Sequence, residues 1–125
     1  MSKIIHTTNA PDAIGPYSQA ICTGNLVFTS GQIAINPKTA NVEATTIEEQ
    51  TEQVCKNLAA VLEAAGSSLE KVVKTTCFLK NMEDFAAFNS IYGKYFVSKP
   101  ARSCVAAKQL PKDVLVEVEV IAEIQ

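Results

Sequence analysis

A chain of 125 residues is the size of one compact domain, and an apolar share of 47% is ample for its core. Eleven basic residues against 13 acidic ones give a net charge of −2, and no cluster of Lys and Arg forms a phosphate-gathering patch. No nucleic-acid partner is therefore expected. No membrane interaction is expected either, since no stretch approaches the ~20 apolar residues of a spanning helix. Met1 to His6 lacks the apolar core of a signal peptide, which predicts a cytoplasmic location.

Lys3 to Thr7 reads as a short strand, and Gly15-Pro16 then breaks the chain. Ser18 to Cys22 and Leu26 to Ser30 read as strands joined through Thr23-Gly24-Asn25, a hairpin connection. From Thr46 to Ala65 the period becomes helical, with Ile47, Val54, Leu58, Val61 and Leu62 on one stripe. Thr45 or Thr46 caps that helix ahead of Glu48 or Glu49, and Gly66 closes it. Lys71 to Leu79 is β-branched and predicts a strand. Asn81 is the expected cap of a second helix, whose stripe is Phe85, Phe88, Tyr92, Tyr95 and Phe96. Gly93 weakens that helix by roughly 1 kcal/mol relative to Ala. Two strands end the chain, Arg102 to Ala106 and Leu115 to Ile124, separated by Leu110-Pro111-Lys112-Asp113.

The order β-β-β-α-β-α-β-β over a single domain, residues 1–125, predicts an α+β fold. It is a two-layer sandwich of a six-stranded mixed sheet with both helices on one face. The last strand tells what covers the other face. Val116, Val118, Val120, Ala122 and Ile124 suit the helices, while Leu115, Glu117, Glu119, Ile121 and Glu123 make a mixed face. Two apolar residues among three glutamates fit partial burial against another subunit, or else a wet face with incidental apolar residues.

Arg102 opens a strand that is otherwise small and apolar. A guanidinium entering a core needs a partner. That partner is either internal, with Glu117 or Glu119 the candidates on a neighbouring strand, or an external carboxylate or phosphate gripped through paired hydrogen bonds. Glu117 is a candidate to hold a water or relay a proton, or an ordinary exposed strand glutamate. Tyr17 either closes over a ligand or packs at a turn. Gly31, in Ser30-Gly31-Gln32, either admits a ligand close to the backbone or serves the turn. Asn89 reaches the same cleft or solvent. Cys104 lies two residues from Arg102 and shares its face. The four cysteines contain no C-x-x-C pair and the only histidine is His6, so no metal site or Cys-His pair is written here.

Four segments together are specific: Gly15-Pro16-Tyr17-Ser18-Gln19-Ala20, Val27 to Ile33, Pro100-Ala101-Arg102-Ser103-Cys104-Val105 and Leu110 to Glu119. They resemble the Rid family (YjgF/YER057c/UK114), closest to its RidA branch of reactive-intermediate deaminases. The resemblance implies a chorismate-mutase-like homotrimer with clefts between subunits. It implies hydrolysis of 2-imino acids, such as 2-iminopropanoate and 2-iminobutanoate released by pyridoxal-phosphate enzymes, to 2-keto acids and ammonia, without a cofactor. It also implies that Arg102 binds the substrate carboxylate, Glu117 handles water or protons and Tyr17 closes the cleft. It implies further that Ser30, Gly31, Asn89 and Cys104 line the ligand site. Between Phe96 and Arg102 the chain is shorter than the family pattern, and Lys99 stands where an aromatic or aliphatic residue often precedes Pro-Ala-Arg. The alternative function is a non-catalytic trimer sensing small carboxylates through the same cleft. A ribonuclease or translation inhibitor, as some relatives are described, conflicts with the acidic balance and the lone histidine.

Overall fold

The Gly24-Asn25 turn sets the first antiparallel pair. Strands β2 (Ala20–Thr23) and β3 (Leu26–Thr29) meet with Thr23 opposite Leu26, and Gly24 takes a φ of 58°, a left-handed conformation open to a residue without a Cβ. The computed structural model describes residues 2–124. Strand β1 (Lys3–Ile5) adds to the free edge of β2. A short ribbon that the sequence reading does not anticipate follows, β4 (Ile35–Asn36) paired with β5 (Asn41–Val42). Its inner residue Ile35 joins Ile33 and Val114 in a small satellite core.

Helix α1 (Ile47–Ala64) starts where the capping signal predicts, the Thr46 hydroxyl accepting the Glu49 N–H at 3.2 Å. It ends at Gly66, whose φ of 82° lets the Gly66 and Ser67 N–H groups reach the Glu63 and Leu62 carbonyls at 3.0 and 2.8 Å. Its stripe of Val54, Leu58, Val61 and Leu62 is fully buried. Strand β6 (Val72–Leu79) then leads through a single turn, Met82–Asp84, into α2 (Phe85–Tyr95). Asn81 makes no side-chain capping bond, contrary to expectation, because this tight turn rather than the helix begins there. Phe88, Tyr92 and Phe96 are buried as the stripe predicts, with Tyr92 stacked on Phe96 at 4.4 Å between ring centroids.

Strand β7 (Ala101–Ala106) lies parallel to β6 at the sheet's edge. The last strand, β8 (Val116–Glu123), inserts between β3 and β6, antiparallel to both, giving the sheet order β1-β2-β3-β8-β6-β7. Val116, Val118, Val120 and Ala122 are buried under the helices, and Glu117, Glu119, Ile121 and Glu123 take the open face. Leu115 is a correction. It precedes the strand, donates its N–H to the Gln50 side-chain oxygen at 2.8 Å and packs on the main core. The apolar character of the open face comes instead from Ile4, Ile21, Phe28 and Ile121, which stand in one cross-strand row. No helix among the described residues is long and apolar enough to cross a membrane.

Candidate functional site

Register decides the site. Arg102 pairs with Thr75 and Cys104 with Cys77, and Thr75 and Cys77 are both fully buried under the helices. Arg102 and Cys104 therefore share the helix-facing side of edge strand β7, as their spacing predicts. Glu117 pairs with Phe78, one residue out of that phase, and stands on the open face. The expected internal pairing of Arg102 with Glu117 or Glu119 is overturned. Strand β6 separates β7 from β8, and the two glutamates lie on the other face. Among the described residues no carboxylate makes a salt bridge with Arg102.

What holds Arg102 is α2. One terminal guanidinium nitrogen donates to the Asn89 side-chain oxygen at 2.7 Å. The guanidinium carbon lies 4.8 Å from the centre of the Tyr92 ring and 5.3 Å from that of Phe85. Ring faces carry the negative part of the quadrupole, so both aromatics fix the cation without neutralising it. Asn89 and Tyr92 are three residues apart, the spacing that puts two side chains on one helix face. Tyr92 is itself anchored, its hydroxyl sharing a 2.8 Å hydrogen bond with the buried Thr75 hydroxyl. Arg102 and Asn89 line a hollow of about 360 Å³, and most of the guanidinium's donors remain available there. Cys104 is half-buried, and burial pushes its thiol up against the opposing pull of Arg102. A thiol whose proton is held more tightly than usual is poorly suited to act as a nucleophile, and Cys104 is not among the residues that line the hollow.

The second group of expected residues meets on the open face. Tyr17, Ser30, Gly31 and Glu117 line one hollow of about 390 Å³, together with Ile14, Pro111 and Glu119. Gly31 is needed for the approach of Glu117. A Cβ at Gly31 would stand 2.9 Å from the Glu117 carboxyl carbon and closer still to its Oε2, so the carboxylate lies directly over the glycine. The Glu117 carboxyl is held above the usual range, chiefly by burial and secondarily by Glu119 beside it. Ser30 is committed to structure: its hydroxyl donates to the Ser18 carbonyl at 2.6 Å and its N–H to the Gln19 carbonyl at 2.9 Å. The exposed Tyr17 ring folds over Gly15, with its hydroxyl accepting the Ile14 N–H at 3.2 Å.

Two supports escape the sequence reading. Gln19 is buried and accepts the Thr7 N–H at 2.7 Å while donating to the Thr7 and Pro11 carbonyls at 3.1 and 2.7 Å. It ties down the segment that leads to Ile14 and Tyr17, and a lone buried amide leaves no periodic signal. Tyr92 was legible only as core, although its spacing from Asn89 is a signal for a shared helix face. Among the described residues no group of three or more His, Cys, Asp or Glu side chains converges to hold a metal ion.

These two clusters come with a clear kinship. The family model described as endoribonuclease L-PSP matches residues 7–124. A RutC family protein of Pyrococcus horikoshii is 54% identical over 123 residues, covering 98% of both chains. The 2-iminobutanoate/2-iminopropanoate deaminase of Escherichia coli strain K12 is 49% identical over 126 residues, again covering 98% of each. The crystal structure of Escherichia coli TdcF with bound serine has a TM-score of 0.93 at 41% identity, covering 98% of this chain and 99% of that one. The chain thus belongs to the endoribonuclease L-PSP family, the Rid (YjgF/YER057c/UK114) family that its Pro100–Val105 and Leu110–Glu119 segments resemble.

Proposed function

We propose that this protein hydrolyses small 2-imino acids to 2-keto acids and ammonia, in clefts assembled between the subunits of a homotrimer. The observation that carries the reading is Arg102, a cation oriented by Asn89 and Tyr92 and given no carboxylate partner within the described chain. Such a group is suited to a ligand carboxylate. The deaminase at 49% identity supports the reaction, and the serine bound to TdcF supports a small carboxylate as ligand.

The chemistry asks little. Water adds across the C=N bond to give a carbinolamine, the nitrogen is protonated, and ammonia leaves as the C=O bond forms. Arg102 orients the substrate through its carboxylate. Glu117 takes a proton from the attacking water and returns one to the departing nitrogen, a role suited to a carboxyl that burial holds above its ordinary range. Tyr17 closes the cleft, and Ser30, Gly31, Asn89 and Cys104 wall it. No cofactor enters this scheme, and a cytoplasmic protein serving pyridoxal-phosphate enzymes fits it.

One subunit presents Arg102 and Glu117 on opposite faces of its sheet. A cleft using both must join Arg102 of one copy to Glu117 of another. The open face offers a surface for that assembly, with Ile4 68% and Phe28 39% exposed in the same row as Ile21 and Ile121. The test follows loss of imine generated by an amino-acid oxidase, with survivors trapped by semicarbazide. Wild type accelerates the loss, while Arg102→Ala and Glu117→Ala each abolish it. Coexpressing the two dead variants in equal amounts restores about a quarter of the sites, because a cleft between subunits can draw its good half from each. No acceleration by wild type overturns the reaction. No recovery in mixed oligomers overturns the shared cleft.

A further inference from the structure

The hollow that holds Arg102 contains a second cation. Lys99 lines the same space of about 360 Å³, and no acidic residue lines it. Lys99 makes no salt bridge among the described residues. Within one subunit, two positive charges without a carboxylate partner at one small hollow are notable in a chain whose net charge is −2.

Lys99 is placed by a held turn. Its N–H donates to the carbonyl of Phe96 at 3.2 Å, and Phe96 is buried and stacked on Tyr92. The neighbouring Ser98 hydroxyl donates to the Val72 carbonyl at 3.4 Å. Pro100 restricts the exit. The backbone of Lys99 takes a φ of 54°, a left-handed conformation that a lysine seldom adopts. The turn, not local preference, dictates where this ammonium starts.

A substrate with one carboxylate satisfies one of these cations and leaves the other to repel nothing and bind nothing. A second carboxylate on the substrate's side chain would meet Lys99 while the first is held by Arg102. The structure assigns Lys99 as a specificity residue, and we infer that the site prefers 2-imino acids bearing a second, side-chain carboxylate. The inference rests on the deaminase reading of this site. Lys gives a mobile point charge rather than a fixed fork, so the preference is one of charge and not of exact length.

The test compares imines generated from L-aspartate and from L-alanine, and in parallel the binding of malate and lactate measured by calorimetry. In wild type at low salt the doubly charged member of each pair is favoured about two- to fivefold, the scale of one added exposed charge pair. Lys99→Asn, which tolerates the left-handed backbone, brings that ratio down to about that of its uncharged surroundings. Lys99→Arg restores the ratio, and raising the salt erodes it in wild type. A malate-to-lactate ratio unchanged by Lys99→Asn overturns the inference. Because binding is read without turnover, a protein that splits no imine but loses its malate preference in Lys99→Asn refutes the deaminase reading alone. One that hydrolyses both imines with a ratio indifferent to Lys99 refutes the inference alone.

Discussion

Placing one methyl group on Gly31 tests the site's geometry with little risk to the fold. Gly31 has no positive φ among the glycines that need one, so alanine fits its backbone. The new Cβ would lie 2.9 Å from the Glu117 carboxyl carbon and 3.0 Å from its Cγ, with Oε2 closer still. Carbon atoms at rest stay about 3.5 Å or more apart. The carboxyl carbon must therefore retreat by about 0.5 Å and the oxygen by about 1 Å. Only the far end of a flexible side chain has to move, at a cost of about 1 kcal/mol in rotamer energy. The reduced freedom of the unfolded chain offsets much of that cost. Stability should stay within about 1 kcal/mol of wild type, a change in Tm of less than about 5 °C. Activity should not survive so well, because a displacement of about 1 Å in a group that positions water costs about 100-fold in kcat/KM. The assay is imine loss with semicarbazide trapping, beside thermal melts of both proteins. A Gly31→Ala variant within twofold of wild-type kcat/KM would refute the role given to the Glu117 carboxylate. A collapse in Tm would show that backbone, not side chain, absorbs the contact.

Stability should also depend on pH through Glu117. Its raised carboxyl binds a proton more tightly folded than unfolded, so its contribution is fully present below the ordinary carboxylate range and is lost as pH rises through the raised value. Glu117→Gln should melt like wild type near about pH 4 and above it near about pH 8, and an equal difference at both pH values would contradict this. Tyr92→Phe removes the hydroxyl 2.8 Å from the fully buried Thr75 oxygen, which costs about 1–3 kcal/mol, or about 4–12 °C in Tm. The ring under Arg102 remains, so activity should hold within about twofold; an unchanged Tm, or a lost activity, would count against this division of roles.

Much of the fold is legible in the chain because local physics writes it. Thr46 and Gly66 bound α1 through hydrogen bonds confined to a few neighbouring residues. The alternation along Val116 to Glu123 separates the two faces of β8 without any knowledge of the strand's neighbours. The ribbon β4–β5 escapes because two-residue strands carry too little pattern to recognise. Asn81 misleads because a capping residue type also suits the turn that stands there. Leu115 misleads for a related reason: alternation extended one residue too far assigns it to a face, when the strand has not yet begun.

The site divides in the same way. That Arg102 requires a partner, and that Cys104 shares its side, follow from one charge and a period of two residues. Which partner it lacks does not follow. Strand order and pairing register are long-range, set by how a whole sheet buries its apolar faces against two helices. The last strand of the chain closes the middle of the sheet between β3 and β6. That insertion puts Glu117 over Gly31 on the open face, and leaves Arg102 at the edge on the other side, under Asn89 and Tyr92. The sequence by itself determined the longer elements, the two faces of the last strand and the need for a counter-charge. Only the tertiary structure decided that Glu117 and Glu119 cannot supply it, because residues on opposite faces of a sheet cannot meet within a single copy.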